Sequence, residues 1–274
     1  MSNPSRPTDH ELALAAEQTL YTYTWAYESE RETPLDTGDA LIHVLDVPWF
    51  GDDGFAGRLV FDPETVNERL DAVLRQAGDA RRRFVWITGP STRPTNLSDL
   101  LAVRGLPPCI YWDGLALRDL SWPYPEAPGV RVRQLTAESV DTYVDLCVGH
   151  AGTSDESVRA ERRAAAMRLV EAGQREAQVF IAYVDGEPAG CSVLRIEPDR
   201  IAYLRNAFTL EAFRQRGVYL AMVGARLALA REHGCVAAVV QAQGHSSAPI
   251  LKKRGFFKVC ELVGHMRADG GAGD

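Results

Sequence analysis

One stretch, residues 201–232, constrains the fold more than any other part of the chain. Its first ten residues, IAYLRNAFTL, are rich in β-branched, aromatic and aliphatic side chains, which is typical of a β-strand. A short polar turn, EAFRQR, follows, and from Gly217 the apolar residues recur with the period of an α-helix that ends at His233 and Gly234. We expect Arg226 to lie off the apolar face of that helix. The chain therefore contains a strand, a tight turn and a helix in direct succession.

The turn predicts an anion-binding site. The first turn of an α-helix has backbone N–H groups without an internal acceptor, and they lie at the positive end of the helix dipole. Gly217 has no Cβ that would keep a phosphate from the backbone, and Arg214 and Arg216 add charge-assisted donors. We therefore expect a loop that binds pyrophosphate, and the alternative is an ordinary turn with solvated arginines.

The residues RQRGVY in this turn resemble the coenzyme A loop of the GNAT superfamily of N-acetyltransferases, whose pattern is Arg/Gln-x-x-Gly-x-Gly/Ala. Arg214 and Gly217 match the pattern, whereas Tyr219 stands where the family has a small residue. From residue 130 onward the predicted order is strand, two helices, three strands, helix, strand, helix and strand, which is also similar to the GNAT fold. The hairpin VDGEPAG and the closing RGFF add to this resemblance.

The length of 274 residues suggests two domains, and the proline-rich segment SWPYPEAPG separates them. The first half repeats the element order loosely, but no Arg-x-x-Gly loop follows any of its strands. This arrangement resembles bacterial tandem GNAT proteins, so we expect an α/β (mixed-sheet) fold with two tandem GNAT-like domains. The degenerate copy would span residues 1–125 and the coenzyme-binding copy residues 128–268, followed by a flexible tail, 269–274. Within the first copy we expect a loop over residues 28–39 and a strand over residues 58–61.

The composition excludes several classes of protein. Apolar residues make up 46% and charged residues 24% of the chain, as in soluble globular proteins, and no apolar run is long enough to span a bilayer. The polar N-terminus lacks the pattern of a signal peptide, so we expect a cytoplasmic protein. The net charge of −7 argues against nucleic acid as a partner. The five cysteines show no C-x-x-C spacing, so we expect neither disulfides nor a metal site.

The resemblance implies acetyl-CoA as the co-substrate, no metal, and a small-molecule amine as the acceptor, with no nucleic-acid or membrane partner and a monomeric or homodimeric state. The strand before the loop would offer its backbone to the extended arm of the coenzyme, and an N–H near Phe208 would polarise the thioester oxygen. The implied coenzyme-binding residues are Ala207, Phe208, Thr209, Arg214, Gln215, Arg216, Gly217, Val218, Tyr219 and Ser247.

The catalytic residues of the family are only partly matched. The family often has a carboxylate on the strand before the loop, but residues 203–206 contain no acid. The family tyrosine that protonates the thiolate would fall at Leu251, and the family asparagine at Gly244. The candidates for the base are Tyr203, Cys191, His150 and Asp155, each of which packing or solvation also explains. The candidates for the acid are Tyr219, His245, Ser247 and solvent, although His245 and Ser247 also fit a turn and a helix cap.

Two functions from different classes fit these residues. The first is an N-acetyltransferase that moves an acetyl group from acetyl-CoA directly to an amine. The second is a non-catalytic GNAT-like module that binds coenzyme A or another small ligand. The missing tyrosine and carboxylate favour the second function, whereas the Arg214-x-x-Gly217 loop is compatible with both. A thiol of pKa about 8.5 is a fair leaving group near neutral pH, so we place the enzyme first.

Overall fold

The computed structural model describes residues 6–20, 32–45, 54–77, 84–121, 123–124, 127–175, 177–196 and 199–267. The strands in these ranges are β1 (Glu32–Asp36), β2 (Leu41–Leu45), β3 (Gly54–Gly57), β4 (Phe84–Thr88), β5 (Pro108–Leu117), β6 (Val130–Gln134), β7 (Gln178–Val184), β8 (Glu187–Ile196), β9 (Ile201–Thr209), β10 (Ala237–Gln243) and β11 (Phe257–His265). The helices are α1 (Asp9–Gln18), α2 (Val66–Gln76), α3 (Leu97–Ala102), α4 (Val140–Ala151), α5 (Glu156–Glu171), α6 (Val218–Glu232) and α7 (Ser247–Lys252). None of these helices combines the length and the apolar character needed to cross a membrane.

All of these strands join in one mixed sheet with the order β1-β2-β3-β4-β11-β5-β10-β9-β8-β7-β6. Each half of the chain contributes the same unit, an antiparallel three-stranded meander followed by a helix and a strand parallel to the last strand of the meander. In the first half this unit is β1-β2-β3, α2 and β4, and in the second half it is β7-β8-β9, α6 and β10. The predicted mixed α/β fold with two tandem copies is confirmed.

The last strands of the two halves of the chain, β5 and β11, meet in the middle of the sheet. Strand β5, from the first half, lies between β10 and β11 and pairs antiparallel with both. Strand β11, from the second half, lies between β5 and β4 and pairs antiparallel with both. Each unit is therefore completed by strand pairs that involve the other half of the chain. The domain boundary at residues 125–128 stays a prediction.

The helices cover both faces of the sheet. Side chains alternate between the faces along each strand. On β8, Cys191 and Val193 pack with α4 and α5, whereas Leu194 packs with α6 and α7. On β9, Tyr203 packs with α1, whereas Leu204 packs with α6. Helices α1, α4 and α5 therefore lie on one face, and α6 and α7 lie on the opposite face.

Two local predictions for the first half are wrong. Residues 32–36 lie within the predicted loop 28–39 but form β1, the edge strand of the sheet. Pro34 has no N–H to donate, which an edge strand tolerates because one of its sides needs no partner. The predicted strand 58–61 is absent apart from an isolated bridge between Val60 and Arg93. Arg58 turns the chain there with a φ of +48°. Residues 28–31 lie outside the described ranges.

Candidate functional site

Strands β9 and β10 diverge after a short parallel start. Ile201, Ala202 and Tyr203 pair with residues 237–239, and β9 continues to Thr209 with only β8 as its partner. One edge of the segment 204–209 therefore faces the gap between the two strands. An open strand edge can accept the backbone-like groups of an extended ligand.

A β-bulge accompanies this divergence. Arg205 lies opposite Val193, but Phe208 lies opposite Cys191, so β9 contains one extra residue at this point. Asn206 has a φ of +43°, the left-handed conformation that asparagine adopts more readily than most residues. Bulges bend a strand and increase its local twist, which accounts for the separation of β9 from β10.

Gly190 allows β8 to approach the bulge closely. A Cβ at this position would overlap the carbonyl oxygen of Phe208 and lie 3.1 Å from the Cα of Thr209. A side chain at residue 190 would therefore push β8 away from the part of β9 that borders the gap. Gly190 is not among the site residues predicted from the sequence.

Arg226 supports the bulge from beneath the sheet. It lies on α6 with 1% of its surface exposed, so the expectation that it lies off the buried face is wrong. Its Nη1 donates to the carbonyl oxygens of Val193 at 3.2 Å and Arg205 at 3.3 Å, and its Nε donates to Met222 at 3.1 Å. Burial lowers the pKa of Arg226 to about 10, so the side chain remains a cation at neutral pH. The sequence shows that the helix carries an arginine, but it does not show which carbonyl groups accept hydrogen bonds from it.

The loop after β9 leads into α6 without a side-chain cap. Gln215 and Gly217 both have left-handed backbone conformations, with φ of +63° and +79°. The first bond of the helix is donated by the Ala221 N–H to the Gly217 carbonyl oxygen. The N–H groups of residues 218–220 have no acceptor among the described residues. These free donors at the positive end of a buried helix suit an anion.

The role predicted for the missing Cβ of Gly217 is wrong. A Cβ here would lie 2.7 Å from the Cβ of Ala127, so the segment between the two halves already occupies this space. Glycine is needed for the positive φ and for the contact with Ala127, and it does not leave room for a phosphate on this side. Gly217 would contribute to an anion site by its backbone conformation, which positions the N–H groups of the residues that follow it.

The arginines of the loop lie at the surface. The Nη2 of Arg216 contacts the Oδ2 of Asp185 at 2.7 Å, on the turn between β7 and β8. Arg214 is exposed and close enough to His150 to affect its pKa. The pair Arg216–Asp185 is open to solvent, so it would compete only weakly with a phosphate for the guanidinium.

His150 stacks on Phe208 next to the bulge. The two rings are 3.9 Å apart between centroids and nearly parallel, with an interplanar angle of 5°. Partial burial, with a smaller effect from the Arg214 charge, lowers the pKa of His150 below its ordinary value of 6.5. The imidazole is therefore neutral at physiological pH, which is the form that accepts a proton. Of the bases considered from the sequence, His150 is the one in ring contact with the diverging strand.

The other candidates from the sequence are placed as follows. Tyr203 is buried against α1, and its hydroxyl donates to the Oδ2 of Asp199 at 3.3 Å. The Oγ of Ser247 accepts the Gln243 N–H at 3.1 Å at the start of α7, and His245 is exposed in the same turn. These contacts favour structural roles for Tyr203 and Ser247.

Asp155 and Cys191 also have structural surroundings. The Oδ1 of Asp155 accepts the Ser157 N–H at 2.8 Å and caps α5. Cys191 is buried, with its Sγ 3.9 Å from that of Cys147. Within the described ranges, no three His, Cys, Asp or Glu side chains group closely enough to hold a metal ion.

The position of the family tyrosine is part of the core. Leu251 is fully buried in the cluster beneath α6 and α7, and Tyr219 packs against the same cluster from the first turn of α6. Burial raises the pKa of Tyr219. Tyr124, from the segment between the halves, packs against this cluster as well and is not among the residues predicted from the sequence.

The equivalent gap in the first half is closed. The Arg93 N–H donates to the Leu59 carbonyl oxygen at 2.9 Å, and the Phe61 N–H donates to the Arg93 carbonyl oxygen at 3.0 Å. These bonds join the chain after β3 to the chain after β4. The backbone groups that would bind an extended ligand in the second half are therefore bonded within the protein in the first half.

Comparison with known proteins agrees with this geometry. Residues 141–256 match the model of the acetyltransferase (GNAT) family. The chain is similar in structure to a GCN5-related N-acetyltransferase from Kribbella flavida, with a TM-score of 0.67, 17% identity, and coverage of 95% of this chain and 96% of that one. It is also similar to a tandem GNAT protein from the clavulanic acid biosynthesis pathway, with a TM-score of 0.63, 14% identity, and coverage of 100% and 92%. None of the curated proteins compared with the chain matches it.

Proposed function

Because residues 141–256 match the acetyltransferase (GNAT) family model and the whole chain has the fold of tandem GNAT proteins, we propose that it transfers an acetyl group from acetyl-CoA to the amine of a small molecule. The observation that carries the proposal is the gap between β9 and β10, which leads directly to the uncapped start of α6. We propose that the protein acts in the cytoplasm as a monomer or homodimer. We expect neither nucleic acid nor a membrane as a partner.

The residues at this gap fit a coenzyme A thioester. The open edge of residues 204–209 is long enough to pair with an extended amide-containing arm, and the free N–H groups of residues 218–220 suit its diphosphate. Arg214 and Arg216 would add positive charge at the mouth of the gap. The bulky Tyr219 in the first turn departs from the family pattern, but its ring packs into the core beneath α6.

The chemistry divides among a few residues. Bound acetyl-CoA supplies the activated acetyl group. Ala207, Phe208 and Thr209 hold it through their backbone, and an N–H of this segment stabilises the negative charge that develops on the thioester oxygen. His150 stacks on Phe208 and takes the proton from the acceptor ammonium, directly or through water.

Calorimetry with acetyl-CoA tests the binding half of the proposal. We expect one molecule bound per chain, because the equivalent gap in the first half is closed by its own hydrogen bonds. Arg214→Ala should weaken binding about tenfold, as expected for the loss of one charge-assisted hydrogen bond. Arg58→Ala is the matched control, because Arg58 follows β3 as Arg214 follows β9. A stoichiometry of two, or an equal loss in both variants, would contradict the assignment.

Thiol release with a broad panel of amines tests the transfer half. An active enzyme releases coenzyme A in an amine-dependent manner, and the product shows which acceptor was used. The alternative function, a binding module without turnover, is favoured by Leu251 and Gly244 at the positions of the family tyrosine and asparagine. Tight coenzyme binding without amine-dependent release across the panel would support that alternative.

A further inference from the structure

The segment between the two halves follows α6 along one side. Ala127 contacts Gly217, and Tyr124 contacts Gly224, where an added Cβ would lie 3.1 Å from the Tyr124 Cβ and 3.3 Å from its Cγ. Residues seven apart lie on the same side of an α-helix, so the two glycines form one shallow track. The contacts bring a tyrosine from outside the matched family region, residues 141–256, against the helix that begins at the loop.

The hydroxyl of Tyr124 lacks a partner. Its Oη is buried and has no hydrogen bond to any described part of the protein. Buried hydroxyl groups are nearly always hydrogen-bonded, so this one is free to donate to a bound group without breaking a bond within the described protein. Burial also raises the pKa of Tyr124 to about 12, so the group remains a donor throughout the physiological pH range.

This hydroxyl lies on the face of the sheet that α6 and α7 cover, the face from which Arg226 reaches β9. Arg226, Tyr219 and Arg254 are the charged and titratable groups that act on Tyr124. Arg226 itself bonds to the carbonyl oxygen of Arg205, one residue before the bulge residue Asn206. Tyr124 also packs against the cluster that contains Leu251, the position at which the family has its tyrosine. Tyr124 therefore comes from a different part of the chain than Leu251, but the two side chains belong to the same hydrophobic cluster.

We propose that Tyr124 donates a hydrogen bond to the coenzyme sulfur as the carbon–sulfur bond breaks. This inference rests on the proposed function. The electron pair of that bond leaves with the sulfur, the Tyr124 O–H stabilises the thiolate, and the amine nitrogen keeps the acetyl group. The acceptor ammonium first gives one proton to the base, the nitrogen releases a second proton to solvent as the amide forms, and the thiolate takes one proton from solvent, so Tyr124 remains a phenol throughout. The positive charge of Arg226 favours the thiolate at the same place.

The test measures the thiol pKa of bound coenzyme A and requires no acceptor. Coenzyme A labelled with ¹³C at the carbon next to sulfur is bound to the protein, and its NMR shift is followed with pH. We expect wild type to hold about five times more thiolate than Tyr124→Phe at the same pH, as the loss of one hydrogen bond predicts. The phenylalanine ring keeps the contact with Gly224. Tyr111→Phe is the control, because Tyr111 is 56% exposed on β5.

Three results would overturn the inference. Equal thiol pKa values in wild type and Tyr124→Phe would show that the hydroxyl does not contact sulfur. A shift in Tyr219→Phe alone would assign the donor to Tyr219. Tighter coenzyme binding by Tyr124→Phe would show that the hydroxyl obstructs the site. Should Tyr124→Phe fold poorly, fluorotyrosine at residue 124 keeps the shape, and its more acidic phenol should lower the thiol pKa further. Absence of coenzyme binding to wild type would remove the proposed function together with this inference.

Discussion

The Nη1 of Arg226 lies 3.3 Å from the carbonyl oxygen of Arg205, so a buried cation on α6 bonds directly to the strand at its bulge. The ladder between β8 and β9 shifts register next to Arg205, and Arg226 donates to the Arg205 carbonyl oxygen at this point. The same nitrogen also reaches the carbonyl oxygen of Val193 on β8. Helix α6 thus contributes to two features of the site, the anion-binding start of the helix and the shape of the strand edge.

Arg226→Met should destabilise the protein. The carbonyl oxygens of Arg205 and Val193 would lose their donor inside the core, which costs about 1–3 kcal/mol of unfolding free energy. Removal of a buried charge offsets part of this cost, and the methionine fills much of the volume. Urea denaturation measures the change. Arg231→Met, at the exposed end of the same helix, should change stability by less than about 0.5 kcal/mol. Equal stability of the two variants would contradict the role of Arg226.

Gly190→Ala should loosen the contact between β8 and the bulge. Its Cβ would overlap the carbonyl oxygen of Phe208, so we expect a loss of about 1–3 kcal/mol of unfolding free energy. Acetyl-CoA affinity should fall as well, because Phe208 lies on the open edge. Gly149→Ala is the matched control, since nothing lies within 4 Å of its added Cβ. That variant should be neutral or slightly more stable, as alanine is the better helix former. Calorimetric melting and acetyl-CoA titration distinguish the two glycines.

His150→Phe should separate catalysis from binding. The new ring keeps the stacking on Phe208, so the affinity for acetyl-CoA should stay within about threefold. The turnover number should fall by about 10²–10⁴, the usual contribution of a general base. The wild-type rate should decline as pH falls through the pKa of His150, which lies below 6.5, and the variant should lack that decline. His233→Phe, at the exposed end of α6, is the control. An unchanged pH profile would exclude His150 as the base.

His265 should make the stability depend on pH. It is fully buried in β11, with Nε2 3.1 Å from the Thr88 Oγ1 and Nδ1 3.3 Å from the Leu106 carbonyl oxygen. Burial lowers its pKa below 6.5, so the unfolded chain takes up a proton that the folded protein does not. The unfolding free energy should therefore fall as pH decreases from about 7.5 through 6.5. His265→Gln should flatten this dependence, and the slope that remains should include the contribution of His150, whose pKa is also lowered in the folded protein. Urea titrations at several pH values would show whether the slopes differ.

The sequence predicts most of the second half because its signals are local. The apolar alternation of β9, the turn from Arg214 to Gly217 and the helical period of α6 each depend on neighbouring residues. These patterns were sufficient to predict the fold, and residues 141–256 match the acetyltransferase (GNAT) family model. The edge strand β1 was missed because Pro34 and its polar neighbours are typical of a loop, whereas pairing with β2 determines the outcome.

The remaining features depend on contacts between distant residues. The burial of Arg226 requires the free carbonyl groups of a bulge more than twenty positions earlier, which no periodicity reveals. The contact of Tyr124 with Gly224 spans one hundred residues and lies in a segment whose sequence predicts only a linker. The sequence does show that Gly217 is unusual, but only the structure shows that Ala127 is the group beside it.

The central pairing of β5 with β10 and β11 makes the two copies mutually dependent. A protease cut between the copies would free neither of them, since each fragment would expose the unpaired backbone of a central strand. Gene duplication ordinarily yields two modules, of which one can later be discarded. Here the copy without an open gap is needed for the fold of its sibling, because its last strand, β5, pairs with β10, one of the two strands that border the gap.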